Sequence, residues 1–361
     1  MDFTFSEEQQ AVADLTDQIM ADRLDSERLL LIESGDEWFD RDLWADLAGA
    51  GLVGIAIADD LGGGGLDAVA MALLLRAQGN HVAPLPLLPT CVASMAIDRH
   101  GTDEQRQRLL PDVTSGSASL SVALCEPADD RVRTPSTLYD GASLSGTKIL
   151  VESADTSTTA VVTADSDDGP GLFLVDLHGP GVSSAATVST RGEPISRVAF
   201  SGAPAEPLGR AGAGTVGWLV DHMLLGTCAT QLGVTERALE LTARYTSTRE
   251  QFGRPIATFQ AVTQRLADQF INVGGIRLTT LVAAWRLAEG LDASEDLLIA
   301  KWWASERATE VAHATQHCHG GIGVARDYPL HRYTLWNRHL TASLGAGSQT
   351  LLSLGNLLAT R

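Results

Sequence analysis

The sequence predicts a mainly α-helical protein with a central β domain, because the pattern of apolar residues changes twice along the chain. The first 117 residues carry helical periodicity. Between residues 118 and 208, short apolar or alternating runs separated by Gly, Asp, Pro and Ser are typical of an antiparallel barrel or sandwich. Long helical periodicity then returns. We therefore expect a helical domain at 1–117, a β domain at 118–208 and a helical bundle at 209–361.

Local signals place the elements of the first third. Ser6 and Gln9 have the spacing of a capping box at the start of a helix. Apolar residues repeat at helical spacing within 44–51, where glycines end the helix. The four glycines of 62–65 predict a loop, because they lack the spacing of the phosphate-binding glycine motifs. The proline-rich segment 81–89 is expected to be extended.

The elements of the other two thirds follow from the same periodicities. Five runs are expected to be strands, at 120–124, 143–146, 160–162, 172–175 and 198–200. Three long segments are expected to be helices, at 216–246, 256–289 and 297–317.

Bulk composition narrows the classes of function. The chain has 361 residues, of which 44% are hydrophobic and 20% are charged, so it can fold around a substantial core. Its net charge is −19, and it has no cluster of Lys and Arg. Both facts argue against nucleic acid or an anionic membrane surface as a partner, because each carries a negative surface.

The cysteines and the terminus indicate the compartment. Cys91, Cys125, Cys228 and Cys318 are widely scattered, so neither a disulfide framework nor a metal site is predicted. Residues 1–8 lack the basic and apolar regions of a signal peptide, and the chain has no apolar run of about 18 residues. We expect a cytoplasmic protein.

A polar stretch around residue 250 has the features of a diphosphate-binding site. Arg249 and Gln260 are eleven residues apart, about three helical turns if the backbone were continuous. Gly253 and Pro255 interrupt that helix, so the two polar side chains are expected to flank a bend. The planar fork of arginine binds two oxygens of a diphosphate at once, and Phe252 offers an apolar surface beside it. Taken by themselves, these residues are equally compatible with a purely structural role for the stretch.

Further motifs occur in order along the chain. They are Phe39-Asp-Arg-Asp-Leu-Trp44, Leu61-Gly-Gly-Gly-Gly65, Gly146-Thr-Lys148, Thr248-Arg-Glu-Gln-Phe-Gly-Arg-Pro-Ile256, Phe259-Gln260, Ala300-Lys301 and His319-Gly-Gly-Ile-Gly323 before Tyr328-Pro329. With these motifs the chain resembles the acyl-CoA dehydrogenase family over essentially its whole length. The resemblance implies a β-barrel or sandwich between two helical domains, the last a four-helix bundle that also serves in oligomerisation.

The resemblance also implies FAD, bound at a subunit interface. In the family the flavin ring rests in one subunit, and the ADP half reaches the C-terminal helices of the neighbour. Five residues of this chain match the family positions that bind the ADP half of the FAD whose flavin ring rests in the neighbouring subunit. They are Arg249, Phe252, Gln260, His317 and Gly321. The family usually has glutamine where His317 stands, and histidine can still donate or accept a hydrogen bond.

The catalytic base of the family has no counterpart here, so no catalytic residue is predicted. The family reaction removes an α-proton from an acyl-CoA thioester, usually with a glutamate at one of two chain positions. Ala346 and Met223 match those positions, and neither can accept a proton. Asp221 and His222 lie close to the second position, and either could serve as a displaced base. Leu224 stands where the family often has an arginine.

The flavin-ring contacts differ as well. The family loop with Gly-Ser appears here as Cys125-Glu-Pro-Ala-Asp-Asp130, without those two residues. The family strand whose hydroxyl donates a hydrogen bond to flavin N5 appears here as Leu150-Val-Glu152. The carboxylate of Glu152 would be repelled by the electron-rich reduced flavin. Leu335-Trp336 replaces an expected Arg-Asp pair.

The chain keeps residues at the ADP-binding positions and lacks the base and the flavin-ring contacts. In this it resembles the base-lacking subunit of actinobacterial heterotetrameric acyl-CoA dehydrogenases, which act on CoA thioesters of steroid side chains. The resemblance implies two copies of each of two homologous subunits, with the partner supplying the catalytic Glu and the flavin pocket. It also implies an electron-transfer acceptor and a role in lipid metabolism, namely steroid degradation and cholesterol catabolism. Two alternatives stay open, namely a self-sufficient flavoenzyme with a base at Asp221 or His222, and a non-enzymatic scaffold homologue.

Overall fold

The computed structural model describes residues 4–35, 37–128, 131–212 and 214–360. They form two compact units, each built from separate stretches of the chain. We call Met1–Gly35, Ala72–Ala83 and Leu224–Arg361 the helical unit, and Asp36–Met71 with Pro84–Met223 the β unit. The prediction of a mainly helical protein with a central β region is confirmed. The domain boundaries after residues 117 and 208 stay a prediction.

Among the described residues, six α-helices precede the strands. They are α1 (Glu7–Arg23), α2 (Ser26–Ser34), α3 (Arg41–Gly49), α4 (Ala68–His81), α5 (Leu87–His100) and α6 (Asp103–Thr114). The predicted capping box is present, because Ser6 and Gln9 exchange backbone-to-side-chain hydrogen bonds of 3.1 Å each. The expectation that 81–89 is extended was wrong at both ends, since α4 ends at His81 and α5 begins at Leu87. Pro89 lies in the first turn of that helix, where a backbone N–H is not needed.

The β unit contains two four-stranded sheets. The strands are β1 (Leu120–Ala123), β2 (Leu138–Tyr139), β3 (Ser143–Glu152), β4 (Thr159–Ala164), β5 (Gly171–Asp176), β6 (Val182–Val188), β7 (Pro194–Pro204) and β8 (Glu206–Leu208). Their orders are β1-β4-β5-β8 and β2-β3-β7-β6. The predicted antiparallel pairing holds for all pairs of these sheets but one, because β1 runs parallel to β4. The prediction missed three strands of these sheets. Two of them, β2 and β8, have only two and three residues, and β6 is a strand of mostly exposed small and polar residues that lacks apolar alternation.

An ion pair lies inside the β unit. Lys148 is fully buried and donates to Glu126 Oε1 at 2.7 Å, to Thr163 Oγ1 at 3.0 Å and to the carbonyl of Leu124. The carboxylate of Glu126 also accepts hydrogen bonds from the backbone and hydroxyls of residues 136 and 137. Burial by itself raises the pKa of Glu126, but these hydrogen bonds outweigh it and lower the pKa to about 2. The carboxylate of Glu126 is therefore charged at neutral pH, while burial lowers the pKa of Lys148 and the adjacent carboxylate opposes that shift.

Within the ranges that the structure describes, six α-helices follow β8. They are α7 (Thr215–Thr248), α8 (Gln260–Ala288), α9 (Ser294–Trp302), α10 (Ala308–His319), α11 (Leu330–Ala342) and α12 (Gly347–Ala359). A π-helical turn at Trp303–Arg307 joins α9 to α10, so the segment predicted as one helix is interrupted. Ile276, Leu297, Val311 and Leu330 are fully buried in the core of the helical unit. In the described part of the chain, no helix is long and apolar enough to cross a membrane.

Candidate functional site

The bend predicted between α7 and α8 is a tight hairpin. Helix α7 ends at Thr248, and two short antiparallel strands, β9 (Glu250–Gln251) and β10 (Arg254–Pro255), follow. The two residues of the turn, Phe252 and Gly253, both have positive φ, at +54° and +76°. This is the backbone that a two-residue hairpin turn requires. Helix α8 then begins at Gln260, so the predicted interruption by Gly253 and Pro255 is confirmed.

Phe252, at the tip of this hairpin, has an unusual backbone conformation and an exposed side chain. Its backbone is left-handed, which is rare for a bulky residue, and its side chain is 93% exposed. The nearest ring, Phe259, is 6.1 Å away between centroids, and the guanidinium of Arg254 lies 4.3 Å from the Phe259 centroid. A strained backbone that presents an apolar ring to solvent is typical of a binding surface.

A second exposed segment lies at the end of α10. Gly320 adopts φ +64° and ψ −141°, a conformation open essentially to glycine alone, and a 3-10 turn (Gly320–Val324) follows. His317 and Gly321 are exposed on this segment. A Cβ added to Gly320 or Gly321 would meet no other atom within 4 Å. The backbone here is therefore open to a ligand.

Ring contacts bring the two segments together. Tyr245, one helical turn before Arg249, stacks on His319 with centroids 4.4 Å apart and planes at 19°. His319 lies between His317 and Gly321 in the chain. Helices α8 and α10 also face each other across an open cavity of about 460 Å³, which starts at Ala261, beside Gln260. We call the surface formed by the five residues predicted to bind ADP the nucleotide edge, and its residues are Arg249, Phe252, Gln260, His317 and Gly321.

The two positions predicted to have lost the base carry no proton acceptor. Met223 is buried in α7, and Ala346 is the exposed residue before α12. The backbone N–H of Ala346 donates to the side chain of Gln349 at 3.2 Å. Neither side chain can take a proton from a substrate.

The two candidates for a displaced base are engaged elsewhere. Asp221 accepts from the guanidinium of Arg133, which also donates to the carbonyl of Gly217 at 3.2 Å. His222 is buried and stacks on Trp218 with centroids 3.9 Å apart, and its Nδ1 lies 2.8 Å from the carbonyl oxygen of Trp218. Burial lowers the pKa of His222 to about 4. The imidazole is therefore neutral and a weak base at physiological pH.

The residues that match the flavin-ring strand also form contacts within this chain. Leu150 lies in a bulge of β3 with φ +56°. The carboxylate of Glu152 lies 3.1 Å from Arg191, and Arg191 also pairs with the buried Glu193. Glu152 therefore cannot act as the hydroxyl donor expected at this position. Leu335 is exposed and Trp336 buried, and residues 129–130 of the matched loop lie outside the described residues.

Comparisons with known proteins decide the family. The family model "Acyl-CoA dehydrogenase, N-terminal domain" matches residues 6–117, and "Acyl-CoA dehydrogenase, C-terminal domain" matches residues 210–354. The chain is 37% identical over 370 residues to acyl-CoA dehydrogenase FadE27 of Mycobacterium tuberculosis, covering 99% of both chains. It belongs to the acyl-CoA dehydrogenase family. This family consists of oxidoreductases acting on CH–CH bonds, and FAD is its cofactor.

Two solved structures show the same fold as this acyl-CoA dehydrogenase homologue. One is a variant of the Tcur3481–Tcur3483 steroid ACAD, with 44% identity, a TM-score of 0.93 and 98% of both chains covered. The other is the ChsE4–ChsE5 complex of Mycobacterium tuberculosis, with 36% identity, a TM-score of 0.95 and complete coverage of both chains.

The nucleotide edge of this family member fits the ADP half of FAD. Its donors are a guanidinium fork, an amide, an imidazole and the open backbone of Gly321, which suit a diphosphate and an adenosine. When bound, FAD supplies the two-electron oxidant of the family reaction. Arg249 would bind diphosphate oxygens, and Phe252 would cover an apolar face.

Sequence reasoning missed three features of the structure. They are the packed rings around His319, the buried pair of Lys148 with Glu126, and the pairing of Arg191 with Glu152. The only signal for the first was the presence of aromatic residues at 245, 319 and 328, and nothing in their spacing indicates that they meet.

Proposed function

We propose that the chain is the base-lacking subunit of a heteromeric FAD-dependent acyl-CoA dehydrogenase. It supplies the ADP half of the FAD site to a homologous partner subunit, which carries the catalytic Glu and the flavin pocket. The complex carries out α,β-dehydrogenation of an acyl-CoA, with a steroid side-chain CoA thioester as the substrate class, and passes the electrons to an electron-transfer acceptor. The isolated chain is then inactive.

One contrast carries the proposal. The side chains of Arg249, Phe252, Gln260 and His317 are all exposed, so a partner's cofactor could reach them. The positions that need a base hold only alanine and methionine, and the nearby acid Asp221 forms an ion pair with an arginine.

The state of the β unit supports the same division of labour. A flavin ring needs a donor near N5, but Glu152 is an acceptor paired with Arg191. An anion at that place would also oppose the negative charge that reduced flavin develops. The ring of the cofactor is therefore better held by another subunit.

The similar structures support a partner of the same family. Both are named for pairs of proteins, Tcur3481 with Tcur3483 and ChsE4 with ChsE5, and the first is named a steroid ACAD. Those names motivate the choice of a homologous partner and of the steroid substrate class for this chain.

Restoring the glutamate tests the proposal. We expect Ala346→Glu to leave the dehydrogenase rate of the co-expressed complex unchanged, because a base without a flavin ring beside it cannot support catalysis. The same variant purified alone should contain no flavin. The matched control is Asp221→Asn, which removes the other candidate acid and should also leave the rate unchanged.

Two outcomes would contradict this account. The first is an isolated Ala346→Glu chain that is yellow and oxidises an acyl-CoA, because the chain would then hold the flavin ring itself. The second is a loss of activity in Asp221→Asn with FAD content unchanged, which would identify Asp221 as a displaced base.

A further inference from the structure

We propose that three rings packed against one another, Tyr245, His319 and Tyr328, position the nucleotide edge and thereby set the affinity for FAD. We call them the ring cluster. The inference rests on the proposed function, since it assigns a role toward the same ADP half. The three are positioning residues that act through Arg249 and Gly321.

The cluster joins three elements of the helical unit. Tyr245 lies near the end of α7, His319 is the last residue of α10, and Tyr328 precedes α11. The centroid of His319 lies 4.4 Å from that of Tyr245 and 5.1 Å from that of Tyr328, and the two tyrosine rings are 6.2 Å apart. Aromatic pairs at these separations attract each other beyond their burial.

The hydrogen bonds of His319 fix its ring orientation. Nδ1 lies 2.9 Å from the carbonyl oxygen of Thr315, which can only accept, so Nδ1 carries the proton. Nε2 therefore accepts from the hydroxyl of Tyr328 at 2.9 Å. The ring is 5% exposed, and this burial lowers its pKa and favours the neutral form. Each ring nitrogen thus has one partner, and the imidazole is held in one orientation.

Both segments of the nucleotide edge begin at this cluster. The carbonyl of Tyr245 accepts from the backbone N–H of Arg249 at 2.8 Å, so this hydrogen bond ties Arg249, the residue after α7, to the last turn of that helix. Gly320 follows His319 directly and turns the chain toward Gly321. A shift of Tyr245 relative to His319 would therefore move Arg249 relative to Gly321. Binding costs less free energy when the groups that contact a ligand are already in position. The ring cluster therefore preorganises the nucleotide edge for a ligand that contacts both segments.

The test compares two tyrosine hydroxyls of the same helical unit. Tyr328→Phe removes the donor to His319, whereas Tyr333→Phe removes a buried hydroxyl that donates to the carbonyl of Asn80 at 2.8 Å, away from the edge. Apo complex, co-expressed with its partner and freed of FAD, is titrated with FAD and followed by flavin fluorescence. We expect Tyr328→Phe to weaken FAD binding about threefold to tenfold and Tyr333→Phe to leave the Kd unchanged, although both lower the Tm.

A second pair of variants keeps the test decisive if Tyr328→Phe does not fold. His319→Gln retains an acceptor for the Tyr328 hydroxyl, whereas His319→Leu removes both ring nitrogens. The glutamine variant is expected to bind FAD more tightly than the leucine variant. Equal Kd values for these two, or for the two phenylalanine variants, would overturn the positioning role.

Arg249→Ala measured in parallel separates this inference from the proposed function. If Arg249→Ala weakens FAD binding and Tyr328→Phe does not, only the role of the ring cluster fails. If Arg249→Ala itself leaves the Kd unchanged, the proposed function fails.

Discussion

Changing Arg249 to alanine is expected to weaken FAD binding by the co-expressed complex about ten- to a hundredfold, with both subunits still folded. A hydrogen bond to a charged group contributes about 1.5–3 kcal/mol, and about 1.4 kcal/mol corresponds to a factor of ten in affinity. Arg249 is exposed at the start of the hairpin, so its removal leaves no buried group without a partner. Isothermal titration of the apo complex with FAD measures the effect.

Two further variants separate charge from shape. Arg249→Lys keeps the positive charge but loses the bidentate fork, and we expect an affinity between those of the wild type and Arg249→Ala. Arg244→Ala is the matched control, because Arg244 is an exposed arginine of α7 paired with Glu240. It lies in α7, one turn before the last residue of that helix, Thr248, and not in the hairpin. If the two alanine variants bound FAD equally well, Arg249 would have no part in the cofactor site.

Replacing Lys148 by methionine is expected to lower the free energy of unfolding of the β unit by about 3–5 kcal/mol. The change leaves the buried carboxylate of Glu126 without its cation, and removing one partner of a buried pair is costly. The loss of unfolding free energy is measured by urea unfolding, in which circular dichroism monitors the transition of the β unit. The double variant Lys148→Met with Glu126→Leu should recover most of it, because no buried charge then remains unpaired. A single variant as stable as the wild type would contradict the pairing.

The same pair predicts a pH dependence. The pKa of Glu126 is lowered from 4.5 to about 2 in the folded protein, so its contribution to stability is complete above pH 4.5. It is lost as the pH falls through about 2, where the folded carboxylate takes up its proton. The difference in stability between wild type and Lys148→Met should therefore shrink between pH 4.5 and pH 2. A difference that stays constant over this range would show that Glu126 is not charged in the folded protein.

Local patterns in the sequence predict much of the fold. The capping box at Ser6 and the interruption of the helix around Gly253 depend on neighbouring residues, and both are found as predicted, although the hairpin at the interruption was not foreseen. The start of α5 was missed, because a proline in the first turn of a helix resembles a proline in an extended segment. The parallel pairing of β1 with β4 was missed as well, since two short apolar runs do not reveal which strands lie side by side.

The remaining parts of the site depend on contacts between residues far apart in the chain. Tyr245 and His319 stack although more than seventy residues separate them, and no local pattern encodes that contact. Glu152 could be recognised as a poor neighbour for a flavin from its charge. Its pairing with Arg191 arises only when β3 packs beside β7 and the turn before it. Long-range pairing therefore sets the limit of prediction from this sequence.

Counting FAD in the purified heteromeric complex tests the central claim most directly. On the proposed function, this chain contributes only the surface for the ADP half, so only the partner's flavin pocket is filled. We expect one FAD for each pair of unlike chains, measured as flavin absorbance after denaturation against the mass of the intact complex. One FAD for every chain would contradict the account, because this subunit would then hold a flavin ring of its own.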